Sequence, residues 1–163
     1  MELEIHSDVN IKAVKDSGFK KRLVDYCIEN QQQSLKTIQA AMEDAEQEAA
    51  AYGCPKDLYD GFRNQQIRKR NMLSKQLEQT EINLRILRNI DFSRTPSTVS
   101  HGTLAITDQS CFFVAVGIGL IHFEEDEVAV FSTQVPVYLA IKDKKSGESF
   151  EINGKQYTIK QLI

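Results

Sequence analysis

Two runs of mostly apolar or small residues, spaced alternately four and three positions apart, constrain the fold of this chain more than any other sequence feature. The first run consists of Val24, Ile28, Gln31, Leu35, Ile38, Met42, Ala45, Ala49 and Tyr52, and the second of Leu73, Leu77, Thr80, Leu84 and Leu87. This alternation is the heptad pattern by which one helix packs along another in a coiled coil. The sequence therefore predicts two long helices, packed together, between Gly18 and about Leu87.

The segment between the two runs predicts a sharp reversal of the chain. It contains Gly53 and Pro55, and glycine commonly follows the end of a helix whereas proline is common near the start of the next. Because so short a connection forces neighbouring helices to run antiparallel, the two helices are expected to form a hairpin. Helices of about 35 residues would make this hairpin roughly 50 Å long. Residues 53–61 would form its tip.

The composition changes after Asp91, where a second, β-rich domain is predicted. Residues 93–100 are rich in serine, threonine and proline, as linkers are. Short β-branched or aromatic runs separated by turn residues then predict strands at 102–107, 111–117, 120–123, 128–131, 149–152 and 156–163. A short helix is expected from Pro136, and Asn153-Gly154 predicts the last β-hairpin.

The predicted architecture is an α+β fold in which a helical hairpin precedes a small β-rich domain. Its expected parts are an N-terminal extension at 1–17, an antiparallel coiled-coil hairpin at 18–92 with its tip at 53–61, a linker at 93–100 and the β-rich domain at 101–163.

Composition and charge narrow the functional classes. The chain has 163 residues and a formal net charge of −3, so no global basic field favours binding to free DNA. No stretch approaches the roughly 18 consecutive apolar residues of a membrane span, and Met1–Glu4 lacks the basic and apolar segments of a secretory signal. Cys27, Cys54 and Cys111 are odd in number and widely spaced, which argues against a disulfide framework and against a zinc site. These features predict a cytoplasmic protein without membrane contact.

The C-terminal half carries a proline and, further along, a lysine- and glycine-containing turn before its last hairpin. The proline lies in Val135-Pro136-Val137, and the turn is Lys144-Lys145-Ser146-Gly147. This order resembles the closing segment of the bacterial Gre transcript-cleavage factors, in which Ser-Pro-Leu-Gly precedes Gly-Lys-Lys-x-Gly-Asp. Val135, Val137 and Tyr138 depart from the usual Ser, Leu and Gly. The resemblance implies an FKBP-like fold for residues 101–163.

The tip of the predicted hairpin carries two carboxylates three residues apart, in Asp57-Leu58-Tyr59-Asp60. Gre factors carry Gly-Asp-Leu-x-Glu-Asn at the end of an antiparallel coiled coil, and this segment resembles that motif in register. Lys56 replaces the glycine of the family, Asp60 is one methylene shorter than glutamate, and Gly61-Phe62 replaces Asn-Ala.

The resemblance implies that the protein binds RNA polymerase, that the hairpin enters the secondary channel, and that the tip stimulates cleavage of backtracked RNA. Asp57 and Asp60 would then be catalytic residues and ligands of a Mg²⁺ ion shared with the polymerase active site. Carboxylates suit this role because Mg²⁺ prefers oxygen ligands, and residues three apart share one helix face. The protein would not be an enzyme by itself, since the polymerase supplies the nuclease. A structural interpretation is also open, because Asp in the first turn of a helix favours the positive end of the helix dipole.

The resemblance also implies roles for residues outside the tip carboxylates. Arg63 and Arg68 would contact the phosphates of the RNA 3′ end, although a solvated charged helix face is the alternative. Val135, Pro136 and Val137 correspond to the polymerase-binding region of the family's globular domain, and Pro136 equally suits the first turn of a helix.

Three further interpretations stay open from the sequence. The same hairpin could regulate RNA polymerase from its secondary channel without cleavage, as the altered tip would allow. The FKBP-like domain could instead be a prolyl isomerase or chaperone, which needs an aromatic-lined pocket, although strand alternation sends several aromatic residues to the core. Residues 124–127 are four acidic residues in a row, expected to form an acidic turn or, less simply, a docking patch.

Overall fold

The computed structural model describes residues 15–16, 18–51 and 56–163, with side chains for all of them except residues 51 and 56–60. Two compact units are present. The helical unit is Val24–Asn89, and the sheet unit combines the residues up to Leu23 with Ile90–Ile163. Two long helices precede a six-stranded mixed sheet, so the α+β class predicted from the sequence is confirmed. The predicted domain limits stay predictions.

The helical unit consists of two antiparallel helices packed along the predicted heptad positions. Helix α1 is Phe19–Ala51 and helix α2 is Lys56–Arg88, each of 33 residues. Residues later in α1 contact residues earlier in α2: Gln31 bonds Asn83, whereas Glu48 bonds Gln66. All heptad residues with described side chains are buried or half-buried: Val24, Ile28, Gln31, Leu35, Ile38, Met42, Ala45, Ala49, Leu73, Leu77, Thr80, Leu84 and Leu87. Tyr52 lies outside the described residues.

A buried polar network interrupts the apolar seam between the two helices. Asn83 Nδ2 donates a hydrogen bond to Gln31 Oε1 at 3.1 Å, and Gln79 Nε2 donates to Asn83 Oδ1 at 3.0 Å. Gln31 and Asn83 are both buried. A polar residue in a coiled-coil seam specifies the register of the helices, because a slipped register would leave a buried polar group without its partner.

We expect Asn83→Ala to lower the free energy of unfolding of the helical unit by about 1–3 kcal/mol, because the buried Gln31 amide would lose its donor. The double variant Gln31→Leu/Asn83→Leu should recover most of this loss, since replacing both partners by apolar groups leaves none unsatisfied. Urea unfolding followed by far-UV circular dichroism measures both effects. Asn71→Ala, at an exposed position of α2, is the control, with an expected change below about 0.5 kcal/mol. Equal stability of Asn83→Ala and the control would contradict the role of the network.

The sheet unit contains six strands and a short helix. The strands are β1 Leu104–Thr107, β2 Cys111–Val114, β3 Gly119–Phe123, β4 Asp126–Phe131, β5 Ser149–Ile152 and β6 Lys155–Leu162, and helix α3 is Pro136–Ile141. Their order across the sheet is β3-β4-β2-β1-β6-β5. β2 and β4 are parallel, and all other neighbours are antiparallel. The prediction began β1 too early, because Gly102 has a φ of +83° that ends the extended backbone there.

One face of the sheet packs on a continuous apolar core. The buried cluster comprises Val99, Ala105, Phe112, Val114, Phe131, Ile141, Phe150, Ile159 and Leu162. Phe112 makes edge-on ring contacts with Phe131, Phe150 and Tyr157, at centroid distances of 6.3, 5.4 and 5.1 Å. Such contacts add to the burial of the rings themselves. The prediction that strand alternation sends aromatic side chains to the core is confirmed.

Two tight turns connect antiparallel strands at positions with positive φ. Asn153 and Gly154, between β5 and β6, have φ of 52° and 78°, as a type I′ hairpin turn requires. The predicted last hairpin is therefore confirmed. Glu124, between β3 and β4, has a φ of 54°, which is uncommon for a residue with a side chain of this length. That turn positions the ion pairs described below.

Candidate functional site

The two tip carboxylates lie at the start of α2, which begins at Lys56. Asp57 and Asp60 are three positions apart on this helix, and Asp57 lies in the first turn, where the helix dipole favours negative charge. Their side chains lie outside the described residues, and so do residues 52–55, which include Cys54. The backbone position suits both interpretations of the sequence, the catalytic one and the structural one.

The two arginines predicted to contact RNA are exposed on α2 but differ in their surroundings. Arg63 lines a groove of about 440 Å³ between α1 and α2, together with Gln66 and Arg70. Arg70 Nη2 lies 3.1 Å from Glu46 Oε1, and Gln66 Nε2 donates to Glu48 Oε2 at 3.4 Å. Arg68 does not belong to the lining of this groove. The structure therefore separates the two arginines, with Arg63 in the groove and Arg68 outside it.

The predicted polymerase-binding residues surround the start of α3. Pro136 is the first residue of the helix, and the backbone of Val135 before it is extended. Val135 and Val137 pack partly against the core, whereas Pro136 is exposed. Leu139, three residues further along the same helix, has 75% of its surface exposed. Of the predicted set, Pro136 is therefore the residue most open to a partner, and Leu139 adds an apolar side chain that the sequence analysis missed.

The prediction of an acidic turn at 124–127 was wrong for Asp126 and Glu127, which belong to β4, and Asp126 is buried in an ion pair. Only Glu124 and Glu125 form the turn, because β4 begins at Asp126, which pairs with Phe123 of β3. The Asp126 side chain is 3% exposed and forms an ion pair with Lys15 Nζ. The signal in the sequence was the alternation of position 126 with Val128 and Val130, which places all three on one face of the strand.

Further charges link the chain before α1 to the same hairpin of the sheet unit. Arg22 Nε lies 2.8 Å from Glu124 Oε1, and Arg22 Nη1 lies 3.1 Å from Asp16 Oδ1. The hydrogen bonds from Arg22 hold the pKa of Asp16 below its usual value. Phe19 packs edge-on against Phe123, with ring centroids 5.5 Å apart. These contacts hold the first turn of α1 against the β3–β4 hairpin, so the charged residues Asp16, Arg22 and Glu124 have a structural role.

Three further properties of the described residues concern metal binding, thiol reactivity and membrane crossing. None of their His, Cys, Asp and Glu side chains form a group of three or more that could hold a metal ion, and the side chains of Asp57 and Asp60 are not among them. Cys27 and Cys111 are buried, as predicted, and burial raises the pKa of the Cys27 thiol to about 12. No described helix has the length and apolarity needed to cross a membrane.

Comparison with protein-family models, with curated proteins and with solved structures finds no match to this chain. A proposal of function therefore depends on the residues and geometry of the chain itself, together with the resemblance carried by its motifs.

Proposed function

We propose that this chain is a Gre-type transcription factor that binds RNA polymerase through the secondary channel and stimulates cleavage of backtracked RNA. The observation that carries the proposal is the position of Asp57 and Asp60 at the start of α2, beside the connection between two antiparallel helices of 33 residues. Helices of this length extend about 50 Å. A hairpin of that length can carry two carboxylates deep into a narrow channel.

The role of the tip follows from the chemistry of its donors. Asp57 and Asp60 offer hard oxygen ligands from one helix face, and this donor set fits Mg²⁺. The ion would be shared with the polymerase active site, and when bound there it supplies activation of the water that hydrolyses the phosphodiester. Asp57 and Asp60 would together help to hold the ion and to orient the water. The polymerase provides the nuclease, so the chain is not an enzyme by itself.

The other predicted residues take supporting roles in this proposal. Arg63, which lines the groove beside the tip, would contact the RNA 3′ end through a phosphate, and Arg68 would contact it from outside the groove. Val135, Pro136 and Val137, at the start of α3, would contact the polymerase outside the channel, chiefly through the exposed Pro136. The sheet unit would correspond to the FKBP-like domain of Gre factors. Support for this comes from the short helix beginning at Pro136 and the hairpin that closes the chain.

The experiment that tests the proposal is RNA cleavage in a stalled, backtracked transcription complex with the cognate polymerase, at one fixed Mg²⁺ concentration. We expect shortened transcripts in the presence of the protein. Binding to the polymerase without cleavage would instead support a non-cleaving regulator of the channel. This is the second candidate, because Lys56, Asp60 and Gly61 depart from the Gre motif at the tip. Absence of binding would contradict both.

Asp60→Glu is expected to keep the cleavage rate or raise it by up to about tenfold. The change restores the longer carboxylate of the Gre motif, and small gains in placement of a catalytic group can have large effects on rate. The matched control is Asp25→Glu, at an exposed position of α1, which should leave the rate unchanged. A large loss of cleavage in Asp60→Glu alone would contradict the register of the tip with the Gre motif.

Prolyl isomerase activity is not supported by the described residues. Phe112 and Phe150 are buried, and both contact Tyr157 in the core. These aromatic side chains are therefore used for packing and cannot also line an open site for proline.

A further inference from the structure

A second groove on the helical unit, about 780 Å³ in volume, is lined mostly by polar and charged side chains. It is formed by residues 32–39 of α1 and residues 81–89 around the end of α2, away from the tip of the hairpin. Its charged lining residues are Lys36 on α1 and Arg85, Arg88 and Glu81 on α2. Leu35 and Leu84 also line it, and Leu84 is only 4% exposed. Three amide side chains complete the lining.

The three cations of this groove have no carboxylate partner within the described part of the chain. Neither Lys36 nor Arg85 nor Arg88 forms an ion pair there, although Glu81 lines the same groove. Arg85 and Arg88 are three residues apart and therefore share a helix face. Lys36 faces the groove from the other helix. The positive charge is thus directed into the groove from both of its walls.

Helix electrostatics accounts for only part of this arrangement. Arg85 and Arg88 lie in the last turn of α2, where cations interact favourably with the negative end of the helix dipole. Lys36 lies in the middle of α1, far from either end, so the dipole gives no reason for its position. A ligand with negative charge between the two helices accounts for all three cations.

We propose that this groove binds a small phosphate-bearing ligand of the nucleotide class. Arginine presents paired donors that match phosphate oxygens, and lysine adds a point charge. Leu35 offers an apolar surface for a base, and the amide side chains offer donors and acceptors for its edge. The volume of 780 Å³ lies within the range of about 300–1,000 Å³ that is typical of small-molecule sites.

The charge of the chain favours a small ligand over a nucleic acid strand. Strand binding requires a basic track that neutralises many phosphates, whereas the chain has a net charge of −3. Three cations suffice for one or two phosphate groups. This proposal goes beyond the proposed action on RNA polymerase and does not depend on it.

The test is isothermal titration of the intact chain, without polymerase, using ADP, pyrophosphate, adenosine and a short single-stranded oligonucleotide as separate probes. We expect ADP to bind with a stoichiometry of one, more tightly than pyrophosphate, and adenosine to bind most weakly. Lys36→Gln and Arg85→Gln should each weaken ADP binding by about tenfold or more, because each removes a charge-assisted contact. The matched control is Lys75→Gln, which removes an exposed cation of α2 outside the groove and should leave the affinity unchanged.

All three changes are at exposed positions, so the helices should be retained. Circular dichroism of each variant verifies this. Absence of ADP and pyrophosphate binding at millimolar concentration would overturn the proposal. Equal losses in Lys75→Gln and Arg85→Gln would overturn the assignment to this groove. Binding of pyrophosphate as tight as that of ADP, or tighter binding of the oligonucleotide, would overturn the nucleotide class.

Discussion

Replacement of Asp57 by alanine is expected to lower the rate of stimulated transcript cleavage by at least about 10²-fold while leaving polymerase binding within about twofold. Loss of groups that only support a metal ligand commonly costs 10–100-fold, and in our proposal Asp57 holds the ion directly. The heptad residues of α2 from Leu73 to Leu87 are unchanged in this variant, so the packing of α1 and α2 at these positions should be retained. The effect should therefore fall on chemistry and not on docking. Cleavage in a backtracked complex and a separate polymerase binding assay measure the two quantities.

Asp25→Ala is the matched control, because Asp25 is an exposed aspartate on α1, far along the helix from the tip. It should change neither cleavage nor binding. If Asp57→Ala cleaves as fast as the wild type, the carboxylate has only the structural role of favouring the helix dipole. That role predicts a loss of stability of about 0.3–1 kcal/mol instead. Thermal unfolding of Asp57→Ala measures this structural contribution independently of the polymerase.

The helical hairpin could be predicted from the sequence because its determinants are local and repeat along the chain. A residue such as Leu84 is buried by partners that the heptad spacing alone identifies. Gln31 and Thr80 also occupy seam positions, and both are buried despite their polarity. The bond between Gln31 and Asn83 was not predicted, because Asn83 lies beside the predicted seam and the partner of a polar seam residue depends on the register of two helices.

The ion pair of Lys15 and Asp126 could not be predicted for a different physical reason. The two residues are far apart in sequence. A sequence pattern indicates which face of a strand a residue occupies, but it does not indicate which distant segment packs against that face. Asp126 also follows two glutamates that do form a turn, so local composition favoured the solvated interpretation. The basic groove escaped prediction in the same way, since Lys36 and Arg85 become neighbours only through the antiparallel pairing of the helices.

Lys15→Met is expected to lower the free energy of unfolding of the sheet unit by about 3–5 kcal/mol at pH 7. The change removes the cation that is paired with Asp126, whose side chain is 3% exposed, and broken buried ion pairs typically cost this much. The matched control is Lys21→Met, at an exposed position of α1, with an expected change below about 0.5 kcal/mol. Hydrogen exchange of β1 and β2, measured by mass spectrometry, reports the stability of the sheet unit separately from the helical hairpin.

The pH dependence of this loss distinguishes an ion pair from simple packing of the lysine stem. Burial lowers the pKa of Lys15, but the hydrogen bond and charge of Asp126 outweigh it, so the pKa is raised above the ordinary 10.5. A lysine whose pKa is raised by folding stabilises the folded state while it is protonated. The contribution is therefore fully present below about pH 10.5 and is lost as the pH rises through the folded-state pKa. The difference in stability between wild type and Lys15→Met should accordingly shrink in strongly alkaline solution.

The double variant Lys15→Met/Asp126→Leu completes the argument, because it removes both charges of the pair. Replacing a buried ion pair by apolar residues of similar size is often neutral or stabilising. We therefore expect the double variant to be more stable than Lys15→Met and close to the wild type. A double variant as unstable as Lys15→Met would mean that the lysine stem and its contact with the Phe19 ring, 5.1 Å from Lys15 Nζ to the centroid, stabilise the sheet unit more than the charges do.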